Sequence, residues 1–170
     1  MASRFQDALA FVLNWEGRTD AEAPGDVDTS WGVTQLAYDE WRRATTLPLR
    51  DVDQGTPAEF EQVYRHGYWD RGGCEQMPWP LALLHFDTAV NCGVGMANRM
   101  LQAALGLTVI DGLIGGQTLK ALREADPNQI FCRYVTQRLV HYAGLARRST
   151  KAAGWLRGWL HRVGDLLRRS

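Results

Sequence analysis

Apolar residues recur at helical spacing along most of the chain, and the breaks between them mark where each helix should end. Phe5, Leu9, Val12 and Leu13 share one face of a helix expected over 4–16, with Ser3 and Gln6 at capping-box spacing and Gly17 as its stop. The stretch 18–30, rich in Asp, Gly, Pro and Thr, has no period and reads as a loop or short hairpin, with a short strand at 31–33. A second helix is expected over 35–44, burying Leu36 or Trp41, before Pro48 forbids continuation. Thr56, Pro57 and Glu59 supply an N-cap, a first-turn proline and a capping-box acid, and Phe60, Val63, Tyr64 and Gly67 continue one face of a third helix.

Beyond Gly72-Gly73 the pattern becomes more apolar. Pro80 opens a core helix that runs to Asn91, Gly93 and Gly95 interrupt it, and a further helix covers 96–105. Asp111-Gly112 marks a turn, 117–124 a short helix, and Asp126-Pro127 caps a long one carrying Ile130, Tyr134, Val135, Leu139 and Tyr142. Leu156, Trp159, Leu160, Val163 and Leu167 define a last amphipathic helix, with 149–154 as its connection. The fold class is therefore mainly α, with at most a small β-hairpin after the first helix. With 170 residues, no repeat and no interdomain linker, one domain over 1–170 is the expectation.

Charge adds an asymmetry. The formal net charge is zero, yet residues 131–170 carry 9 basic and 1 acidic side chain while residues 1–130 carry 10 basic and 18 acidic. Such a basic end suits a polyanion, whether nucleic acid, an anionic membrane surface or bacterial cell wall, or else simply balances an acidic body. Arg157, Arg162, Arg168 and Arg169 flank the apolar stripe of the last helix, so that helix either engages anionic lipid or wall polymer or folds its stripe into the core. No run of about 18 apolar residues is present, and 1–7 lacks the pattern of a signal peptide. Three cysteines, Cys74, Cys92 and Cys132, at wide spacing indicate reduced, mostly buried thiols. Four histidines without His-Glu-x-x-His spacing argue against a zinc peptidase, and no metal or cofactor is expected.

One carboxylate stands out. Glu16 follows Leu9, Val12 and Leu13 by seven, four and three residues, which places it on the inward face at the end of the first helix. Burial and the negative end of the helix dipole both favour its protonated form, the state a glycosidase general acid needs, although it equally has Arg18 as a neighbour to pair with. Glycoside hydrolysis commonly sets such an acid against an ionised carboxylate across the scissile bond, and Asp26 and Asp28 are the candidates. Thr34 is placed either to hold a catalytic water or to cap the second helix.

Asn14-Trp15-Glu16-Gly17, followed after about a dozen residues by Ser30-Trp31-Gly32-Val33-Thr34, resembles the start of glycoside hydrolase family 108, the bacterial and phage N-acetylmuramidases. The resemblance continues at Tyr64-Arg65-His66-Gly67-Tyr68-Trp69-Asp70, at Phe86 to Gly93, at Leu101-Gln102, at Asp111 to Gly115 and at Gly158-Trp159-Leu160. It implies a lysozyme-like helical fold, a catalytic half over 1–80 and a peptidoglycan-binding half over 81–170, with Glu16 as catalytic acid. The implied activity is hydrolysis of the β-1,4 bond between N-acetylmuramic acid and N-acetylglucosamine in peptidoglycan strands. The chain departs from the family at Gly17-Arg18 and at Ala23-Pro24-Gly25-Asp26, so Glu16 carries over but the second carboxylate does not. A monomer without nucleic-acid partners is expected, made in the cytoplasm and acting in the periplasm or wall after export or release through a holin.

Substrate contacts are expected from Trp31, Gln35, Tyr38 and Asn91, with Trp31, Tyr38 and Trp69 also weighed as stacking or core aromatics. Asp87 and Asn91, four apart, share a face of an otherwise apolar helix and need polar partners. Two alternatives remain open: a non-catalytic wall-binding module using Asp111-Gly112 and the basic tail, and a cysteine amidase using Cys92 with His85.

Overall fold

The computed structural model describes residues 3–19 and 29–169, and it divides the chain into two compact units, one ending at Arg71 and one beginning at Gly72. In the first unit, α1 (Arg4–Thr19) buries Phe5, Ala8, Leu9, Phe11 and Val12. Its start is the expected capping box: Gln6 N donates to Ser3 Oγ at 3.2 Å and Ser3 N to Gln6 Oε1 at 3.0 Å. The helix runs on through Gly17 rather than stopping there. A glycine inside a helix costs about 1 kcal/mol, which lowers stability without by itself ending the helix.

A minimal antiparallel hairpin, β1 (Thr29–Ser30) with β2 (Val33–Thr34), leads into α2 (Gln35–Ala44), capped by the Thr34 hydroxyl, which accepts from Ala37 N at 3.2 Å. The expected burial of Leu36 is corrected: Leu36 is exposed, Trp41 is half-buried, and the inward positions are Tyr38 and Arg42. Polar pairing decides this. Arg42 donates to the Tyr38 hydroxyl at 2.8 Å and to Glu59 at 2.8 Å, and Arg50 donates to the same Tyr38 oxygen at 2.9 Å and pairs with Glu59. Glu59 also closes the capping box at the start of α3 (Pro57–Tyr64), so one carboxylate ties α2 to α3. Beyond α3 the backbone widens into a π-helical turn, Arg65–Asp70, which buries Trp69 edge-on to Phe5 at 5.6 Å.

In the second unit α4 (Leu81–Cys92) is buried from Leu81 through Ala89 and packs against α5 (Val94–Ala104) and α7 (Pro127–Arg148). Gly93, at φ 84°, makes the bend between α4 and α5. The short α6 (Gly116–Glu124) precedes α7, which Asp126 caps, and α8 (Thr150–Leu167) packs along α7. The stretch 149–154 is no mere connection, because Ser149 already caps α8 through a bond from Ala152 N. Leu160 and Leu167 face solvent, and the inward face of α8 is Ala152, Arg162, Val163 and Leu166. The reason is electrostatic. Fully buried Asp87 on α4 takes Arg138 of α7 at 2.6 Å and Arg162 of α8 at 2.7 Å, so Arg162 is not available to an external anion.

Two further polar nodes hold this unit. His85 is completely buried, its ring nitrogens 2.8 Å from the Tyr134 hydroxyl and 3.1 Å from Asn98 Oδ1, and burial lowers its pKa to about 4. Gln102 organises the Asp111-Gly112 turn, donating to Asp111 Oδ1 at 2.8 Å and accepting from Gly112 N at 2.8 Å. Hydrogen bonds from Gln102 and from Leu113 N hold the Asp111 carboxyl below its usual range.

Replacing Asp87 by Asn leaves two buried guanidinium groups without a counter-charge and is expected to cost about 3–5 kcal/mol in denaturant unfolding. A loss under about 1 kcal/mol contradicts the assignment of Asp87 as the electrostatic centre of this unit. Neutral His85 gives a pH dependence of defined sign. Between its ordinary value near 6.5 and about 4 the unfolded chain binds the proton and the folded one does not, so stability falls as pH drops through that window, by about 3 kcal/mol in all. His85→Gln should flatten that part of the stability profile.

Candidate active site

The features that bear on chemistry in the first unit meet at the hairpin turn. Trp31 and Gly32 have φ of 58° and 73°, and positive φ at both central residues is what a two-residue type I′ hairpin demands. Glycine adopts this freely. Tryptophan does not, and holding it there costs on the order of 1–2 kcal/mol. The turn is clamped by the Tyr64 hydroxyl, which donates to the Trp31 carbonyl at 3.0 Å, and the Trp31 ring lies 6.1 Å from Phe60 and half exposed.

Glu16 enters from α1, half-buried, directly beneath this turn. A Cβ added at Gly32 would stand 3.2 Å from Glu16 Cβ and 3.0 Å from the Tyr64 oxygen. The turn therefore lies close against both the tyrosine oxygen and the aliphatic stem of Glu16. Tyr68, on the π-helical turn, is the next group: burial, then the charges of Glu16 and Glu40, push its phenol up, with Arg71 opposing. Tyr68 stays a protonated hydrogen-bond donor in the neighbourhood of Glu16. A groove of about 370 Å³ extends along α1 from Gln6 past Leu9 and Leu13, and Trp31, Pro57 and Tyr64 form its other side.

The remaining sequence candidates divide. Thr34 caps α2 and is exposed; accepting one N–H leaves its hydroxyl proton and a lone pair for a water. Gln35 is corrected: its amide donates to Asp39 at 2.7 Å and to Arg50 O at 2.9 Å and accepts from Val52 N at 2.7 Å, which commits it to holding the segment after α2. Tyr38 is corrected likewise, being fully buried with both arginines on its oxygen, and Trp69 is also core. Asn91 lies in the second unit, where its carbonyl oxygen accepts from the Tyr142 hydroxyl at 2.6 Å. Asp26 and Asp28 lie outside the described residues. Tyr64 and Tyr68 were missed as site residues; four apart, they mark one face, but the π-helical turn that carries Tyr68 has no sequence signature of its own.

The cysteine alternative fails on its own chemistry. Both His85 nitrogens are engaged by Tyr134 and Asn98, and burial raises the Cys92 thiol pKa, the opposite of nucleophile activation. The expectation of mostly buried thiols is also corrected, since Cys74 is buried, Cys92 half-buried and Cys132 exposed. The Asp111-Gly112 turn, weighed as a binding element, spends its carboxylate on its own backbone and Gln102.

Residues 9–93, half of the chain, match the family model described as glycosyl hydrolase 108. The chain belongs to this family. Residues 96–164 of this glycosyl hydrolase 108 member match a second model, described as a predicted peptidoglycan domain. Among solved structures, that of Brucella abortus SagA is similar over 98% of this chain and 95% of its own, with a TM-score of 0.75 and 26% identity. No curated protein sequence matches significantly. The two family matches together make the protein a glycoside hydrolase directed at peptidoglycan, on the mainly α, lysozyme-like fold expected from its sequence.

Gly32→Ala tests the contact at the turn. It places a methyl group against Glu16 and Tyr64 at a positive φ, and is expected to cost about 1–2 kcal/mol in stability and at least tenfold in kcat on peptidoglycan. Unchanged kcat in the folded variant would separate the turn from the chemistry.

Proposed function

We propose that this protein is an N-acetylmuramidase that cleaves the β-1,4 bond between N-acetylmuramic acid and N-acetylglucosamine, with Glu16 protonating the leaving oxygen. The observation that carries the reading is the seat of Glu16: a half-buried carboxylate at the end of an apolar helix face, packed against a strained, tyrosine-clamped turn. A general acid must be held in one position relative to the glycosidic oxygen, and this packing supplies that restraint. Trp31, half exposed and fixed by the turn, offers its ring to a sugar face, while Tyr68 supplies a neutral donor beside the carboxylate. Asp26 and Asp28, on the connection between α1 and β1, are the carboxylates proposed for the second role, as nucleophile or as base for the attacking water, and Thr34 is proposed to help hold that water. The residues matched by the peptidoglycan domain keep the polymer at hand.

Digestion of purified peptidoglycan with mass analysis of the fragments tests this. The wild-type protein should release fragments with reducing-end N-acetylmuramic acid, and Glu16→Gln should lower the rate by about 10² to 10⁴ while leaving wall binding intact. Reducing-end N-acetylglucosamine would assign the other glycosidic bond, and an undiminished rate would remove Glu16 from the reaction.

A further inference from the structure

The groove beside the Glu16 turn contains a carboxylate that the proposed reaction does not use. Leu9 and Leu13 of α1 line one wall, Pro57, Glu61 and Tyr64 of α3 line the other at positions i, i+4 and i+7, and Trp31 of the turn completes it. Its volume of about 370 Å³ falls within the range of about 300–1,000 Å³ common for small-ligand sites. The walls are mainly apolar. Glu61 is half-buried among them, and within the described residues its carboxyl has no hydrogen-bond or ion-pair partner. Arg65, four residues further on, does not serve it, being paired with Asp70 and placed over the Phe5 ring at 5.0 Å. Gln6, the other polar side chain on the α1 side, is engaged in the capping box with Ser3.

We infer that this groove binds the diamino-acid side chain of a peptidoglycan stem peptide, with its ammonium group on Glu61 and its hydrocarbon chain along Leu9, Leu13 and Pro57. An apolar channel with a single negative charge suits a cation carried on an aliphatic stem, and a half-buried carboxylate without a counter-charge gains most from such a partner. In peptidoglycan the sugars are N-acetylated and the other ionised groups of the stem are carboxylates, which Glu61 repels. The choice of ligand rests on the reaction proposed for Glu16, because cleavage beside N-acetylmuramic acid brings the sugar that carries the peptide to this turn. Trp31 and Tyr64 belong both to the turn and to the groove, so the two surfaces are continuous. Cross-linking acylates the side-chain amine. The groove therefore favours stems that are not cross-linked and directs cleavage towards them.

Titration of the full-length protein with synthetic stem tripeptides, followed by NMR, tests it. The probes are N-acetyl-L-alanyl-γ-D-glutamyl peptides ending in lysine or in meso-diaminopimelate, and at least one is expected to bind. Acetylating its side-chain amine should weaken binding about tenfold, and so should Glu61→Gln with its thermal midpoint retained. The two changes together should cost no more than either alone, since both remove the same ion pair. On the polymer, acetylating the free amines should raise the wild-type KM several-fold and leave that of Glu61→Gln unmoved. If Glu61→Gln does not fold, ligand acetylation with the wild-type protein carries the test. Binding of neither tripeptide, equal binding of the acetylated one, or losses that simply add would each overturn the inference. Release of reducing-end N-acetylmuramic acid by a protein that binds neither tripeptide would keep the reaction and remove the ligand. Amine-dependent tripeptide binding by a protein that cuts another bond would correct the reaction and keep the ligand.

Discussion

Gly32 sits where an added Cβ would crowd the Tyr64 oxygen at 3.0 Å and Glu16 Cβ at 3.2 Å, and the first unit is arranged around that tight approach. Its left-handed backbone lets a two-residue turn reverse the chain, its missing side chain lets Glu16 lie against the turn, and the Tyr64 hydroxyl closes the remaining side while holding the carbonyl of Trp31. Strain is accepted at Trp31 to achieve this, in a place where a less hindered residue would serve a purely structural hairpin better. Strained positions held by several independent contacts are typical of functional sites, and here the contacts come from α1, the hairpin and α3.

The second unit is built on a different constraint, a buried carboxylate facing two guanidinium groups. Asp87 joins α4 to α7 and α8, and Tyr142 extends the connection by accepting from Arg138 at 2.8 Å and donating to Asn91. This network is expensive to bury and costly to break, which makes it a device for fixing the helices in one register. It also removes two arginines from the surface, so the basicity visible in the sequence overstates what an external partner meets.

What could be read from the sequence was mostly local. The capping signals at Ser3, Thr34, Thr56 and Asp126 act within a few residues, and the helices they open begin where expected. Spacing put Glu16 beside the inward residues of its helix but left a pairing with Arg18 open, and it is the Gly32 turn, distant in sequence, that packs against its side chain. Burial decided by distant polar partners was not legible in the sequence. Leu36 gives way to Arg42 because Glu59 is waiting for it, Arg162 turns inward because Asp87 needs it, and Gln35 and Tyr38, plausible sugar contacts by type, are used up by Arg50 and its neighbours. Tyr68 depends on a π-helical turn, a backbone irregularity that residue spacing does not announce.

The role proposed for the clamped turn is to hold Glu16 within hydrogen-bond reach of a bound glycosidic oxygen. A crystal structure of Glu16→Gln with a bound glycan fragment containing one intact β-1,4 bond tests it most directly. The account predicts that the bridging oxygen of that bond lies about 2.6–3.2 Å from the side-chain amide of residue 16, with a sugar ring over Trp31. A glycan bound with its β-1,4 bond beyond hydrogen-bond reach of residue 16, on a surface that excludes the turn, would contradict it.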